Sequence, residues 1–466
     1  MANVPHLSSP DPYDTGWCLP RSGDETLGYW TAFWLPVRKT RPQTYGPLQL
    51  GLVSSLWKNV SEHTPSLWNR IAVDMDRMDG KNTSTTLHKL SERLSRSGAL
   101  PLDIGVTSRE WNQSSNPKSK PYLVLSKLLL HAPRFRSVSF FLTTDILLPL
   151  GYYKHSSPKL THFHIINSDG AVGLDHLDLK TTWPSLTHLT LEYLQFGSLS
   201  VSYSNLTYLK LTFVPISRPW KTIQDAKMLT HLIMHHCWFG RASGSPTGSE
   251  ATITLHNLKH FEYIPALPVA QEDLLEVLIT PSLNDFVMTD DANRPGYHID
   301  ALASHSFLSS CANSLRRLVL VGVERERPLD CDILVNTLAS LSSLENLEIG
   351  LANMPHSYFS PLLTRLTTTA GTGVGDPTFL PKLRTLQFNS LNGLFWPLIP
   401  GIFHRAESLD QRPLRQLIIK KMTAVNAESL TIDIIDQLND LMDDGIDMQF
   451  YDEEGERIIR RESARG

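Results

Sequence analysis

The chain is short of charge, of cysteine and of long apolar runs. Charged residues fill 19% of its 466 positions, below the typical share of about a quarter, and its 43 Lys and Arg fall short of its 47 Asp and Glu. The formal net charge of −4 gives no electrostatic support to a nucleic-acid or anionic-membrane partner, and neither is expected. No stretch reaches the ~18 apolar residues of a membrane span. The best candidate, Leu128 to Leu150, is broken by His131, Arg134, Arg136 and Asp145. Cys18, Cys237, Cys311 and Cys331 form no Cys-x-x-Cys pair and are too few for a disulfide framework. They fit a reducing, intracellular compartment, cytoplasmic or nuclear, where the sequons at Asn59, Asn82, Asn112 and Asn205 carry no weight. The opening Met-Ala-Asn-Val-Pro-His has no basic region followed by an apolar run, so no signal peptide is expected. The 41% apolar content is ordinary for a globular chain.

Repetition is what the sequence does have. Pro158-Lys-Leu160-Thr-His-Phe163-His-Ile165 and Pro184-Ser-Leu186-Thr-His-Leu189-Thr-Leu191 share one template. Asn205-Leu206-Thr-Tyr-Leu209-Lys-Leu211 and Met228-Leu229-Thr-His-Leu232-Ile-Met234 follow it closely. Weaker copies begin at Leu258, Leu283, Leu315, Leu344, Leu383 and Leu414, with an earlier one at Phe135. The starts lie 20 to 39 residues apart, and the longer late gaps hold insertions such as Thr367 to Pro377. Leucine-rich repeats run to roughly 20–29 residues. The expected fold is therefore α/β: an irregular leucine-rich-repeat solenoid whose curved parallel sheet of short strands carries turns and helices on its convex side. Strands are expected near Phe163, Leu189, Leu209, Leu232, Phe261, Phe286, Leu318, Leu347, Leu386 and Leu417, stacked in that order. Alternation turns the two later apolar residues of each copy to one face, and stacking supplies the surface that a single copy cannot bury against itself. Helical periodicity appears between strands at 271–279, 299–310 and 330–341.

The template's outward position forms a column of His162, His188, Tyr208, His231 and His260, continued by Asp285, Arg317, Asn346, Thr385 and Gln416. No Cys or carboxylate joins the early column, so it lacks the ligand set of a zinc site, and no metal is expected. With Lys210, Glu262 and Glu348 from the next outward positions it reads instead as a partner-binding surface on the concave face. Tyr208 and Arg317 are the residue types most enriched at binding hot spots. No Gly-x-x-x-x-Gly-Lys-Ser/Thr loop and no Gly-x-Ser-x-Gly elbow occurs, and Gly371-Thr-Gly-Val-Gly375 lacks the third glycine of a dinucleotide fingerprint. Neither an enzyme activity nor a cofactor is expected.

Upstream, Leu52, Leu56 and Val60, with Val53 and Trp57, form one apolar helical stripe, and Thr64-Pro65 opens a second turn carrying Leu67, Trp68 and Ile71. Leu56, Trp57 and Trp68 are expected to bury together. The stretch from Pro47 to Ile71 resembles the second half of an F-box, as found in fungal F-box proteins with leucine-rich repeats, through Leu52, Val53, Leu56, Trp57, Thr64, Pro65, Leu67 and Trp68. The resemblance continues through the helix near 87–96 and His131-Ala-Pro-Arg-Phe-Arg136. It implies a Skp-type adaptor of a cullin ubiquitin ligase as a partner, contacted by Leu52, Val53, Leu56, Trp57, Pro65 and Trp68, and a protein substrate as the target. The family's opening Leu-Pro-x-Glu helix has no counterpart: Leu35-Pro36 is followed by a run with no apolar period that includes Pro42 and Gly46. That departure implies half an F-box, or a chain start lying further upstream.

The expected organisation is a poorly ordered segment 1–46, an F-box-like helical unit 47–73 and a helical and loop connector 74–132. The solenoid follows at 133–450, closed by a capping helix 427–444 between Asn426 and Gly445, and then a charged tail 451–466. Glu428 to Glu454 holds ten acids and no Lys or Arg, which suits a polar cap on the last repeat.

Overall fold

Apolar residues recurring at every second position, copy after copy, dictate strands with one buried face, and the computed structural model has a strand at every copy. It describes residues 52–457 except 77, 79–82, 109–120, 148–156, 171–182, 195–202, 217–222, 240–251, 266–273, 290–300, 324–330, 353–358, 370–378, 390–392, 404–412, 423–429 and 453. Segment 1–46, Asn426, most of the Thr- and Gly-rich insertion and the end of the tail thus lie outside the described residues. Two units are distinguished, Met1–Trp68 and Asn69–Gly466.

The second unit is an α/β arrangement built on one long sheet. Its strands are β1 (Arg70–Asp74), β2 (Leu102–Thr107), β3 (Phe135–Leu142), β4 (His162–Asn167), β5 (His188–Glu192), β6 (Tyr208–Thr212), β7 (Pro215–Ile216), β8 (His231–Phe239) and β9 (Ile253–Thr254). There follow β10 (His260–Pro265), β11 (Leu278–Ile279), β12 (Asp285–Thr289), β13 (Arg317–Val323), β14 (Asn346–Ala352), β15 (Thr385–Asn389), β16 (Gln416–Met422) and β17 (Asp447–Asp452). Fourteen of them pair in parallel in chain order, β1 through β6, then β8, β10 and β12 through β17; β7 branches from β8, and β9 pairs with β11 in a separate ribbon. The sheet is open.

One register row runs through all fourteen strands, with shifts only beside it, at Leu102/Asp103, Ile264/Pro265 and Ile419/Met422. Phe163, Leu189, Leu209, Leu232, Phe261, Phe286, Leu318, Leu347, Leu386 and Leu417 are successive cross-strand partners, in the order expected. Ile71, Ile104 and Val138 extend the row at one end and Met448 at the other. Every member is buried, as is the parallel row two residues on, which includes Ile165, Leu191, Leu211, Met234 and Tyr263. The leading leucines Leu160, Leu186, Leu206, Leu229, Leu258 and Leu283 are buried beneath turns that each close with an N–H to carbonyl bond three residues back, as from Leu186 to Trp183. Helices Ala301–Ser310, Cys331–Ser340 and Phe359–Thr368 fill the longer links, and Phe307 lies against Phe286 at 4.9 Å between ring centres.

The sheet begins two strands earlier than the repeat template suggests. Helices Thr83–Arg96 and Pro121–Leu129 occupy the stretch read as a connector, but β2 lies between them and β1 before them. Both strands alternate correctly yet lack the Leu-Thr-His flank that marks the later copies. Ile71, expected to fold onto the upstream helical stripe, is instead a buried member of β1. The C-terminal helix is Ile432–Asp443, starting after Thr431 rather than at 427, and ends at Gly445, whose φ of +90° suits glycine. Beyond it β17 adds a last strand.

Leu189 is fully buried in the middle of the central row. Leu189→Ala is expected to cost about 2–5 kcal/mol in chemical denaturation; a loss below ~0.5 kcal/mol, the range of a surface position, would show that the row is not packed.

Candidate functional site

The outward column on the sheet is a row of neighbouring rings. Ser137, His162, His188, Tyr208, His231, His260, Asp285 and Arg317 are successive cross-strand partners. Parallel strands lie about 4.8 Å apart, close to the separation of stacked planar rings. His162 and His188 stack at 4.2 Å and 16°, His188 and Tyr208 at 5.6 Å, Tyr208 and His231 at 6.2 Å, and His231 and His260 at 5.7 Å. Their edges, rather than their faces, turn outward.

The threonine preceding each ring explains its orientation. The hydroxyl of Thr161 donates to the Arg136 carbonyl at 3.0 Å, Thr187 to Thr161 at 3.0 Å, Thr207 to Thr187 at 3.1 Å and Thr230 to Thr207 at 2.9 Å. Thr161, Thr187 and Thr230 also sit 2.9 Å from Nδ1 of His162, His188 and His231. Each of these hydroxyls thus lies within reach of both a carbonyl and a ring nitrogen, and the carbonyls of Thr161 and Thr207 each also accept two backbone N–H groups. Burial holds the three imidazoles below their ordinary value of 6.5, and the neighbouring His162 and His231 add to this at His188.

A chain of ion pairs lies beside and beyond the stack. Nδ1 of His260 meets Asp285 at 2.8 Å, and its Nε2 lies 3.8 Å from Glu262. Glu262 in turn meets Nε2 of His235 at 2.9 Å, while Arg317 bonds both oxygens of Asp285 at 3.1 and 3.2 Å. The hydrogen bonds to Asp285 and then Glu262 outweigh burial and push His260 up to about 9. Those from His235 and His260 hold Glu262 well below the carboxylate range. On the earlier strands β4 to β6, Lys210, with its side chain 11% exposed, pairs with Glu192 at 3.5 Å, and His164 lies 3.9 Å from the same carboxylate. Burial dominates at His164 and lowers it despite Glu192. Desolvation raises Tyr208 to about 12.

Of the residues singled out from sequence, His162, His188, Tyr208, Lys210, His231, His260 and Glu262 thus lie on one patch spanning β4 to β10, and Arg317 joins through Asp285. Glu348 stands three strands beyond His260 and engages Asn389 at 2.8 Å and Lys420 at 4.0 Å. Glu192 was missed, and His164 and His235, which the sequence offers only as the short-range surface pairs His162-x-His164 and His235-His236, join the network; continuing the same alternation finds all three. A second stack was also missed: Tyr193, Phe213 and His236, one residue past the outward positions Glu192, Thr212 and His235, have rings 4.7 and 4.5 Å apart. Each has a φ between +52° and +56°. Left-handed backbone costs about 1–2 kcal/mol per L-residue, so stacking and the bonds from Tyr193 N–H to Thr212 and Phe213 N–H to His235 must hold it there. Among the described residues no group of three or more His, Cys, Asp or Glu has the geometry to hold a metal ion.

In the first unit, helix Ser55–Glu62 is capped by Ser54, whose hydroxyl accepts from the Trp57 N–H at 3.2 Å. Joint burial of Leu56, Trp57 and Trp68 does not occur. Trp68 is 2% exposed and donates its indole N–H to the Ser61 carbonyl at 2.6 Å, whereas Trp57 is 49% and Leu52 85% exposed. Leu52, Val53, Leu56, Trp57 and Val60 are all exposed, and Pro65 opens a single exposed turn. Among the described residues no helix is long and apolar enough to cross a membrane. No protein-family model matches the chain, and no curated protein shows a significant match.

The folded chain binds the His260 proton more tightly than the unfolded chain does. The resulting stabilisation is complete below about pH 6.5 and is lost as the pH rises through about 9. His162, His188 and His231 act in the opposite sense: their contribution is present above 6.5 and lost as the pH falls below it. Ring NMR titration is expected to place His260 near 9 and the other three below 6.5, with Asp285→Asn bringing His260 down. A common midpoint for all four would refute the assigned network.

Proposed function

We propose that the chain is a protein-interaction molecule, a leucine-rich-repeat solenoid behind a degenerate F-box-like unit, serving as the substrate-recognition subunit of an SCF-type ubiquitin ligase. Its target is taken on the concave repeat face. The observation that carries the reading is the continuous outward row of rings and ion pairs from β4 to β13, because an uninterrupted face lets one partner touch several copies at once. The shared register row supports a repeat architecture, and the spacing of the copies supports the leucine-rich class. Ligase coupling is supported by the exposed apolar set Leu52, Val53, Leu56 and Trp57, a surface of the kind that marks interaction sites. Trp68 is buried, so its part in adaptor binding is to hold the last turn of the helix rather than to touch the adaptor.

A second reading, a leucine-rich-repeat scaffold without ligase coupling, is favoured by the sequence after Leu35-Pro36, which departs from the family's Leu-Pro-x-Glu pattern. Calorimetry of the full chain against a purified Skp-type adaptor separates the two. Weak binding that Trp57→Ala abolishes is expected, and absence of binding selects the scaffold. On the sheet, Tyr208→Ala and Arg317→Ala are each expected to cost about 1–4 kcal/mol of target affinity with the fold retained, as read by binding and circular dichroism. Unchanged affinity in both variants would remove the face assignment.

A further inference from the structure

The residue that precedes the outward column changes chemistry partway along the sheet. It is Thr161, Thr187, Thr207 and Thr230 on the earlier copies, then Lys259, Asn284, Arg316, Glu345, Arg384 and Arg415, just before β10 and β12 through β16. Backbone bonds hold the later set at strand spacing. The Lys259 carbonyl accepts the N–H groups of Asn284 and Asp285, and the carbonyls of Asn284, Arg316, Glu345 and Arg384 each accept two from the next copy in the same way. These side chains thus follow one another along the strand-start edge over roughly 24 Å. Lys259, Arg316, Arg384 and Arg415 are all exposed. Arg316 lies 4.0 Å from Glu345, the one carboxylate of the set, and keeps 67% of its side chain exposed. Among the described residues no carboxylate meets Lys259, Arg384 or Arg415, and Lys259 reaches only the Ser282 carbonyl, at 3.4 Å. Lys382, exposed in the turn that leads to β15, has no carboxylate partner either. A chain with a formal net charge of −4 therefore gathers unpaired cations along one edge.

We infer that this edge binds an acidic, extended segment of a partner protein. Lys259, Arg316 and Arg384 stand on every second strand, roughly 10 Å apart, and an extended chain covers that interval in about three residues. A segment with Asp or Glu at every third position brings each acid to a cation, with Arg415 one strand further on. That spacing passes over Glu345. A nucleic-acid strand is a poorer match, because its charges, about 3.4 Å apart along a duplex, are too dense to avoid Glu345. The net charge of −4 also opposes a polyanion at longer range. The inference rests on the reading of the chain as a protein-interaction molecule and is independent of ligase coupling.

The test is fluorescence polarisation with the full chain at neutral pH and low salt. Its probes are nonapeptides on a Gly-Ala frame, with Glu, Gln or Lys at every third position, and an oligothymidylate of matching length. The Glu peptide is expected to bind about tenfold more tightly than the Gln or Lys peptide, and the gap is expected to close in about 1 M salt. Arg384→Gln with Arg415→Gln, two exposed positions whose loss leaves circular dichroism unchanged, is expected to erase most of the preference. Lys58→Gln with Lys89→Gln removes the same charge from helices Ser55–Glu62 and Thr83–Arg96 and is expected to keep it. Glu345→Gln is expected to tighten the Glu peptide, since it frees Arg316. Equal affinities for the Glu and Gln peptides, or a preference that both double variants lose alike, would overturn the inference. Tighter binding of the oligothymidylate, lost with Arg384 and Arg415, would replace the acidic protein segment with a nucleic acid. Failure of every probe to bind overturns the inference alone, because the ring face is tested separately through Tyr208→Ala and its own target.

Discussion

Burial of apolar rows across strands is the interaction on which the rest of the sheet depends. No single copy has enough apolar surface to close on itself: a strand such as His188–Glu192 offers two inward side chains, and both need the strands on either side to be covered. Leu189 is buried because Phe163 and Leu209 flank it in register, and those two are buried for the same reason. Large rings fill the row where the links carry helices, as with Phe261 and Phe286 against Phe307. A one-residue slip in any strand would turn its leucines to solvent and its histidines to the core. Register is therefore stabilised by every copy at once.

The outward face inherits that order. Residues that are far apart in sequence become neighbours at strand spacing, so one side chain per copy is enough to build a continuous stack. Threonine couples the stack to the backbone, since the hydroxyl bridging carbonyls from copy to copy also orients the adjoining imidazole. The stack changes character at His260, where no threonine precedes the ring and Asp285 takes its Nδ1 instead. From there to Arg317 the column is held by charge rather than by ring contact. A neutral, hydrogen-bonding half thus adjoins an ion-paired half on one surface, and the same pairing that keeps Lys210 and Glu262 nearly neutral in pairs leaves the imidazole edges as its distinctive chemistry.

Much of this was legible in the sequence, for a physical reason. The Leu-Thr-His flank repeats in register with the alternation, so both the strand order and the His162 to His260 column follow from the spacing of leucines. The strands β1 and β2 were not legible because their alternating residues lack that flank, and their pairing is decided by β3. The Tyr193–Phe213–His236 stack escaped because it depends on left-handed backbone, a conformation that aromatic residues seldom adopt and no residue type there announces. The upstream helix shows the limit of periodicity from the other side. The stripe from Leu52 to Val60 was readable, but a stripe says nothing about what covers it, and Leu56 and Trp57 stand exposed while Trp68 alone is buried.

Register is the claim from which the buried rows, the ring stack and the ion pairs all follow, and cysteine pairing across strands tests it most directly. With a short thiol-reactive cross-linker, His188→Cys with Tyr208→Cys and Asp285→Cys with Arg317→Cys are expected to link rapidly within one chain, since each pair is directly opposed on adjacent strands. His188→Cys with Leu209→Cys is expected not to link, because Leu209 faces the core. Linking of the displaced pair in preference to the opposed ones would contradict the register, and with it the stacked face.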